Sequence, residues 1–205
     1  MTIIKVCGIT EERDALEAVH LGVDAVGFVF SKKSPRAVSP REAARIGSKL
    51  PPFVARVGVF IDEPADAVAD AVYAAGLTTL QFHGSETPDY CRRFTLSWYK
   101  TFRLGPGFDP ERLSLYGCST CFLEVPESGS AMEAFQAARY GRIILGGALA
   151  PMDVGPAIEA VRPYAVDASH GVEFAPGKLD IDKLEAFVEA VRQADTRLRL
   201  FDRRD

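Results

Sequence analysis

Residues 142–171 read RIILGGALAPMDVGPAIEAVRPYAVDASHG. An apolar run ends on a glycine pair, an amphipathic stretch opens on Pro151, and a second apolar run ends on small and polar residues. Short continuous apolar runs closed by glycine read as strands buried on both faces, and the stretch between them reads as a helix with proline at its first position. Two strands joined through a helix are parallel neighbours. The fold then depends on how often the unit recurs.

It recurs along the whole chain. IIKVCGI precedes EERDALEAVHLG, which closes on Gly22, and AVGFVF leads through a loop to SPREAARIGSKL, with Ser39 as N-cap and Pro40 as first helical residue. ARVGVFI precedes PADAVADAVYAAG, TTLQFHG precedes TPDYCRRF, and SWYKTFRL precedes DPERLSLYG. TCFLEV precedes AMEAFQAARYG, and after the opening unit YAVDASHG leads to DIDKLEAFVEAVRQA. Eight strand–helix units with no break in composition predict a single (β/α)8 TIM barrel over residues 1–205. A doubly wound open sheet is the alternative, which the count of eight disfavours. Residues 196–205, TRLRLFDRRD, read as a charged tail that frays.

Composition narrows the function. With 205 residues, 47 % of them apolar, the chain can bury one sizeable core. A net charge of −4 argues against nucleic acid or a membrane surface as the main partner. No apolar run approaches the roughly 20 residues needed to span a bilayer, and the N-terminus lacks a signal-peptide layout. The four cysteines, Cys7, Cys91, Cys118 and Cys121, point to a reduced, cytoplasmic protein. Cys118 and Cys121 form one CxxC, read as the approach to a strand, with a redox or metal role as the alternative. The expectation is a monomer rather than a homodimer, with no metal and no cofactor.

A barrel of this kind works at the C-terminal ends of its strands. Strand 1 ends at Cys7-Gly8, and strand 2 runs into FSKKSPR with Arg36. Strand 4 ends QFHG with Gln81 and His83, and strand 5 ends with Arg103. Strand 6 ends with Glu124, strand 7 with Gly146-Gly147, and strand 8 with Asp167, Ser169, His170 and Gly171. A carboxylate inside the apolar run CFLEV is costly unless paired or functional, which singles out Glu124, with Arg103 as its pair or an outer support. Taken alone, Cys7 reads as a small buried hydrophobe, Arg36 as a solvated loop charge and His83 as a rim histidine. Their shared placement on one rim is the signal. The glycine pair after strand 7, with SHGVE after strand 8 opening a short extra helix, predicts a phosphate site at Gly146, Gly147, Ser169, His170 and Gly171.

KVCGIT, DAVGFVF…SPR, VGVF, LQFHG, RPYAVDASHGVE and PGKLD, in this order, closely resemble the phosphoribosylanthranilate isomerase family of tryptophan biosynthesis. The resemblance covers nearly the whole chain. It implies a TIM barrel that converts N-(5'-phosphoribosyl)anthranilate to an open-chain 1-deoxyribulose 5-phosphate by an Amadori rearrangement. It also implies Cys7 as general base, Arg36 as the holder of the anthranilate carboxylate and Glu124 as general acid. Asp167 and Ser169 fall near the substrate and its phosphate, and His83 is the expected positive neighbour that lowers the thiol's pKa. The chain departs from the family at Glu124, where aspartate is typical, and at ESGSAM after strand 6, where Gly129 and Ser130 remain of Gly-Gly-Thr-Gly. Ala148 and His170 also stand where the family usually has glycine and serine.

The rearrangement needs two proton transfers. An acid protonates the ring oxygen and the ring opens. A base then takes the C2' proton, and the substrate's own nitrogen serves as electron sink. An apolar strand end around Glu124 would favour the protonated acid. The sister Amadori step of histidine biosynthesis is a competing reading; that branch carries aspartate in place of Cys7 and a longer, two-halved chain. A non-catalytic sugar-phosphate-binding barrel is the alternative outside enzymes.

Overall fold

The structure, a computed structural model, describes residues 1–126, 134 and 136–202. Eight strands form one closed parallel barrel: β1 (Ile3–Cys7), β2 (Ala25–Val29), β3 (Ala55–Phe60), β4 (Thr79–Phe82), β5 (Trp98–Arg103), β6 (Thr120–Val125), β7 (Arg142–Gly147) and β8 (Ala165–Ala168). Closure comes from β1 lying beside β8, with Ile3 opposite Ala165 and Lys5 opposite Asp167. The helices among the described residues are α1 (Glu12–His20), α2 (Pro40–Gly47), α3 (Ala65–Ala75), α4 (Pro88–Cys91), α5 (Arg112–Tyr116), α6 (Pro151–Val161) and α7 (Ile181–Asp202). The expected helix after strand 6 falls largely outside the described residues, which show helical backbone at Ala134, Gln136 and Ala137 and a 3₁₀ turn at Ala138–Tyr140.

The local signals act as their chemistry predicts. Ser39 caps α2, its hydroxyl accepting from the Glu42 N–H at 3.2 Å while Glu42 accepts from the Ser39 N–H at 2.7 Å. Pro40 follows at the first helical position. Successive strand residues face opposite sides. One set, including Phe28, Phe60, Leu80, Phe82 and Leu123, packs in the main core that joins strands to helices. The other set, Ala25, Val57, Tyr99, Phe122, Ile144 and Ala165, fills the barrel interior.

Two expectations are corrected. Residues 196–202 continue α7 rather than fray. Leu198 packs on the core, and Arg197 and Arg162 pair across to Glu159 and Asp202 at 2.5 and 3.0 Å, so this segment has an apolar stripe and a docking face. In addition, PGKLD forms half of a small antiparallel hairpin, β9 (Glu173–Ala175) with β10 (Lys178–Leu179), which the strand–helix pattern does not contain.

Candidate active site

The C-terminal ends of the strands surround a cavity of about 200 Å³ lined by Cys7, Arg36, Gln81, His83, Phe122, Glu124, Gly147, Asp167, Ser169 and His170, among others. Cys7 is the last residue of β1, two positions beyond Lys5 and on the same face. Lys5 is 3 % exposed, and its Nζ donates to both carboxylate oxygens of Asp167 at 2.9 Å. Burial pulls the Lys5 pKa down, but the Asp167 carboxylate, Cys7 and Tyr99 together outweigh it, so the group sits above the ordinary lysine value. A fixed ammonium therefore lies beneath the thiol.

Burial pushes the Cys7 thiol up and Asp167 adds to this, while Lys5 and Arg36 pull it back; the net position is above the ordinary thiol value. The expected positive neighbour is corrected here. His83 is held below the ordinary histidine value, first by burial and then by Lys100 and Lys5, against the opposing pull of Glu124. It stands neutral on the wall, with Nε2 3.9 Å from Glu124. Lys5 and Arg36 are the cations that favour the thiolate.

Arg36 is held rather than solvated. Glu173 accepts from its Nε at 2.8 Å and from Nη2 at 2.5 Å, and Glu173 also accepts from the Gly177 N–H at 3.0 Å. The turn after Cys7 makes room for this side chain. Gly8 has φ +88°, and a Cβ there would lie 2.4 Å from the Arg36 Cδ.

Glu124 departs from its expected surroundings. Its side chain is 23 % exposed rather than enclosed by apolar groups, because it leaves the strand at the rim and turns toward Arg103. Arg103 donates to it through Nε at 3.1 Å and Nη2 at 3.4 Å, which realises the pairing role considered for that arginine.

The two glycine-bearing loops meet. The extra helix after β8 is present as a 3₁₀ turn at His170–Val172. A Cβ on Gly171 would lie 2.3 Å from the Leu149 carbonyl oxygen, so glycine there lets this turn close onto the loop after β7. Gly147, Ser169 and His170 line the cavity, and the Ser169 hydroxyl is 3.4 Å from His170 Nδ1. Gly146 is buried beneath the wall, where a Cβ would strike Phe122 at 2.3 Å; its role is to admit that ring. The ESGSAM loop, with Gly129 and Ser130, lies outside the described residues.

Sequence reasoning left several wall and support residues unassigned. Lys5 carried the signal used for Glu124, a charge inside an apolar run. Gln81, noted only by position, is 1 % exposed, accepts from the Tyr99 hydroxyl at 3.1 Å and donates to Thr101 at 3.2 Å. Glu173 ends the quoted SHGVE, but its pairing with Arg36 spans 137 positions and carries no local signal.

Comparison with known proteins shows the family of the chain. The family model described as N-(5'phosphoribosyl)anthranilate (PRA) isomerase matches residues 4–190. A protein of Trichlorobacter lovleyi named N-(5'-phosphoribosyl)anthranilate isomerase is 43 % identical over 204 residues, covering 95 % of this chain and 100 % of its own. A protein of Nitrosospira multiformis with the same name is 46 % identical over 198 residues, covering 92 % and 95 %. A crystal structure of phosphoribosyl anthranilate isomerase in complex with reduced 1-(o-carboxyphenylamino)-1-deoxyribulose 5-phosphate superposes with a TM-score of 0.88 at 38 % identity, covering 94 % of this chain and 100 % of that one. Matched across nearly its whole length in sequence and in fold, the chain belongs to the N-(5'-phosphoribosyl)anthranilate isomerase family.

Proposed function

We infer that this chain converts N-(5'-phosphoribosyl)anthranilate to 1-(2-carboxyphenylamino)-1-deoxyribulose 5-phosphate in tryptophan biosynthesis, with Cys7 as base and Glu124 as acid. The observation that carries the assignment of roles is their placement. The two groups stand on one cavity wall but on strands that β7 and β8 separate, so a ring bound between them meets a thiol and a carboxyl from different sides. Glu124 protonates the ring oxygen, the ring opens, and Cys7 removes the C2' proton. Lys5 stabilises the thiolate from below. Glu173 occupies Nε and Nη2 of Arg36, which leaves Nη1 for the anthranilate carboxylate. Asp167, fixed by Lys5, and neutral His83 orient the sugar.

The phosphate belongs at Gly147, Ser169, His170 and Gly171, where the loops after β7 and β8 meet beside the cavity. The ligand of the related crystal structure is itself a 5-phosphate, which supports a phosphorylated small-molecule substrate here. The proposal extends to a single-domain monomer working in the cytoplasm. Its four cysteines are free thiols, and no helix among the described residues is long and apolar enough to cross a membrane. Sedimentation velocity at working concentration gives one monomer boundary on this reading, and a dimer boundary overturns that part.

The deciding experiment is turnover of freshly prepared N-(5'-phosphoribosyl)anthranilate. The wild-type chain turns it over, and Cys7→Ser loses at least about a hundredfold in kcat, since a hydroxyl is a far weaker base than a thiolate. Near wild-type turnover by Cys7→Ser would make the thiol a packing residue.

A further inference from the structure

Cys118 and Cys121 lie at the N-terminal end of β6, the end of the barrel opposite Glu124. Their sulfurs are 3.5 Å apart, and both thiols are free. Cys121 is 1 % exposed and locked in the sheet, in register with Lys100 on one side and Ile143 on the other. Cys118 is half-buried and precedes the strand, just after the left-handed turn at Gly117 that ends α5. One sulfur is thus fixed, and the other sits on a loop that solvent reaches. Closing to the roughly 2.05 Å of a disulfide asks the loop sulfur to move about 1.5 Å. Among the described residues no cluster of three metal-ligating side chains forms around the pair.

We propose that Cys118 and Cys121 are a redox-active dithiol that exchanges with small disulfides of the glutathione class, separate from the isomerase site. Cys118 is the attacking group. The hydrogen bond with Cys121, helped by the backbone N–H groups of Lys100 and Thr120 and opposed by burial, brings its pKa down to about 7. The same contact, with burial, holds the Cys121 thiol well above its ordinary value and so protonated. The Cys118 thiolate attacks one sulfur of the small disulfide, forming a mixed disulfide and releasing one thiolate, which takes a proton from solvent. Cys121 then loses its proton and attacks the Cys118 sulfur. The mixed bond breaks, the internal disulfide forms and a second small thiol leaves. Two electrons pass from the protein pair to the small disulfide, which ends as two thiols.

The test equilibrates the full chain across stepped ratios of reduced to oxidised glutathione, followed by acid quenching, alkylation under denaturing conditions and peptide mass analysis. Both cysteines fall in the tryptic peptide 113–139. The proposal expects that peptide to lose both alkyl groups together and to become lighter by two hydrogens at oxidising ratios. In Cys121→Ser a glutathione adduct should accumulate on Cys118, and in Cys118→Ser adduct formation on Cys121 should be at least about tenfold slower. Both thiols remaining alkylatable at every ratio would overturn the proposal, as would a wild-type chain that carries the glutathione adduct without the internal disulfide. Equal adduct rates in the two variants would overturn the assignment of Cys118 as attacker.

Discussion

At the scale of single residues, the chemistry turns on how a half-buried thiol is made basic. Burial and Asp167 raise the Cys7 pKa, and Lys5 and Arg36 offset only part of this. Because the thiolate is the active form, kcat/KM should still be climbing above pH ~8.5, the ordinary thiol value, and a pH–rate profile that flattens below it would contradict this. Removing Lys5 withdraws the main offset and leaves Asp167 buried without its cation. Lys5→Met should destabilise the fold by about 3–5 kcal/mol, while Lys5→Met with Asp167→Asn should recover much of that loss in denaturant unfolding. Glu124 carries the other transfer on a side chain one methylene longer than the aspartate the family resemblance leads one to expect. Its position against Arg103 and His83 uses that length. Glu124→Asp should therefore lower kcat by up to about a hundredfold, and Glu124→Gln should nearly abolish it. A rise in kcat with aspartate would mark the natural residue as an impairment.

At the scale of elements, the loops after β1 and β2 act as one device. Gly8 keeps a left-handed conformation and leaves room for the Arg36 side chain, which Glu173 of the β9–β10 hairpin clamps. Gly8→Ala adds a methyl group 2.4 Å from the Arg36 Cδ, so the expected result is a KM raised at least about tenfold with the fold retained. Steady-state kinetics beside a thermal melt separate the two effects. Element boundaries and the strand–helix alternation were legible because doubly buried parallel strands write themselves as continuous apolar runs. Cys7 was legible because it ends such a run, and Arg36 because it stands in the SPR motif that carries the family resemblance. The Lys5–Asp167 and Arg36–Glu173 pairs were not, since each joins positions more than a hundred apart and depends on register and on a hairpin with no periodic signature. The apolar enclosure expected around Glu124 failed for a related reason. A strand's pattern does not say which of its residues still lies inside the barrel when it reaches the rim.

At the scale of the whole molecule, the start of β1 is tied to α7. Asp195 accepts from the Thr2 N–H at 2.8 Å and from its hydroxyl at 2.7 Å, and Arg192 donates to the Thr2 carbonyl at 2.8 Å. Asp195→Ala strands these buried donors and should cost about 2–3 kcal/mol, read as a fall in Tm with kcat unchanged, because the contact lies at the end of the barrel away from the cavity. This contact, with the pairing of β1 against β8, has a consequence for how the protein is made. During synthesis β1 keeps one edge unpaired until β8 follows it, since its partner begins at Ala165 and its anchor is Asp195. An open sheet edge invites pairing with other chains. A nascent chain released before Asp195 should therefore be captured by holdase chaperones or aggregate, whereas a circular permutant that joins the old termini and opens at an exposed loop on the far side should emerge with β8 and β1 already adjacent.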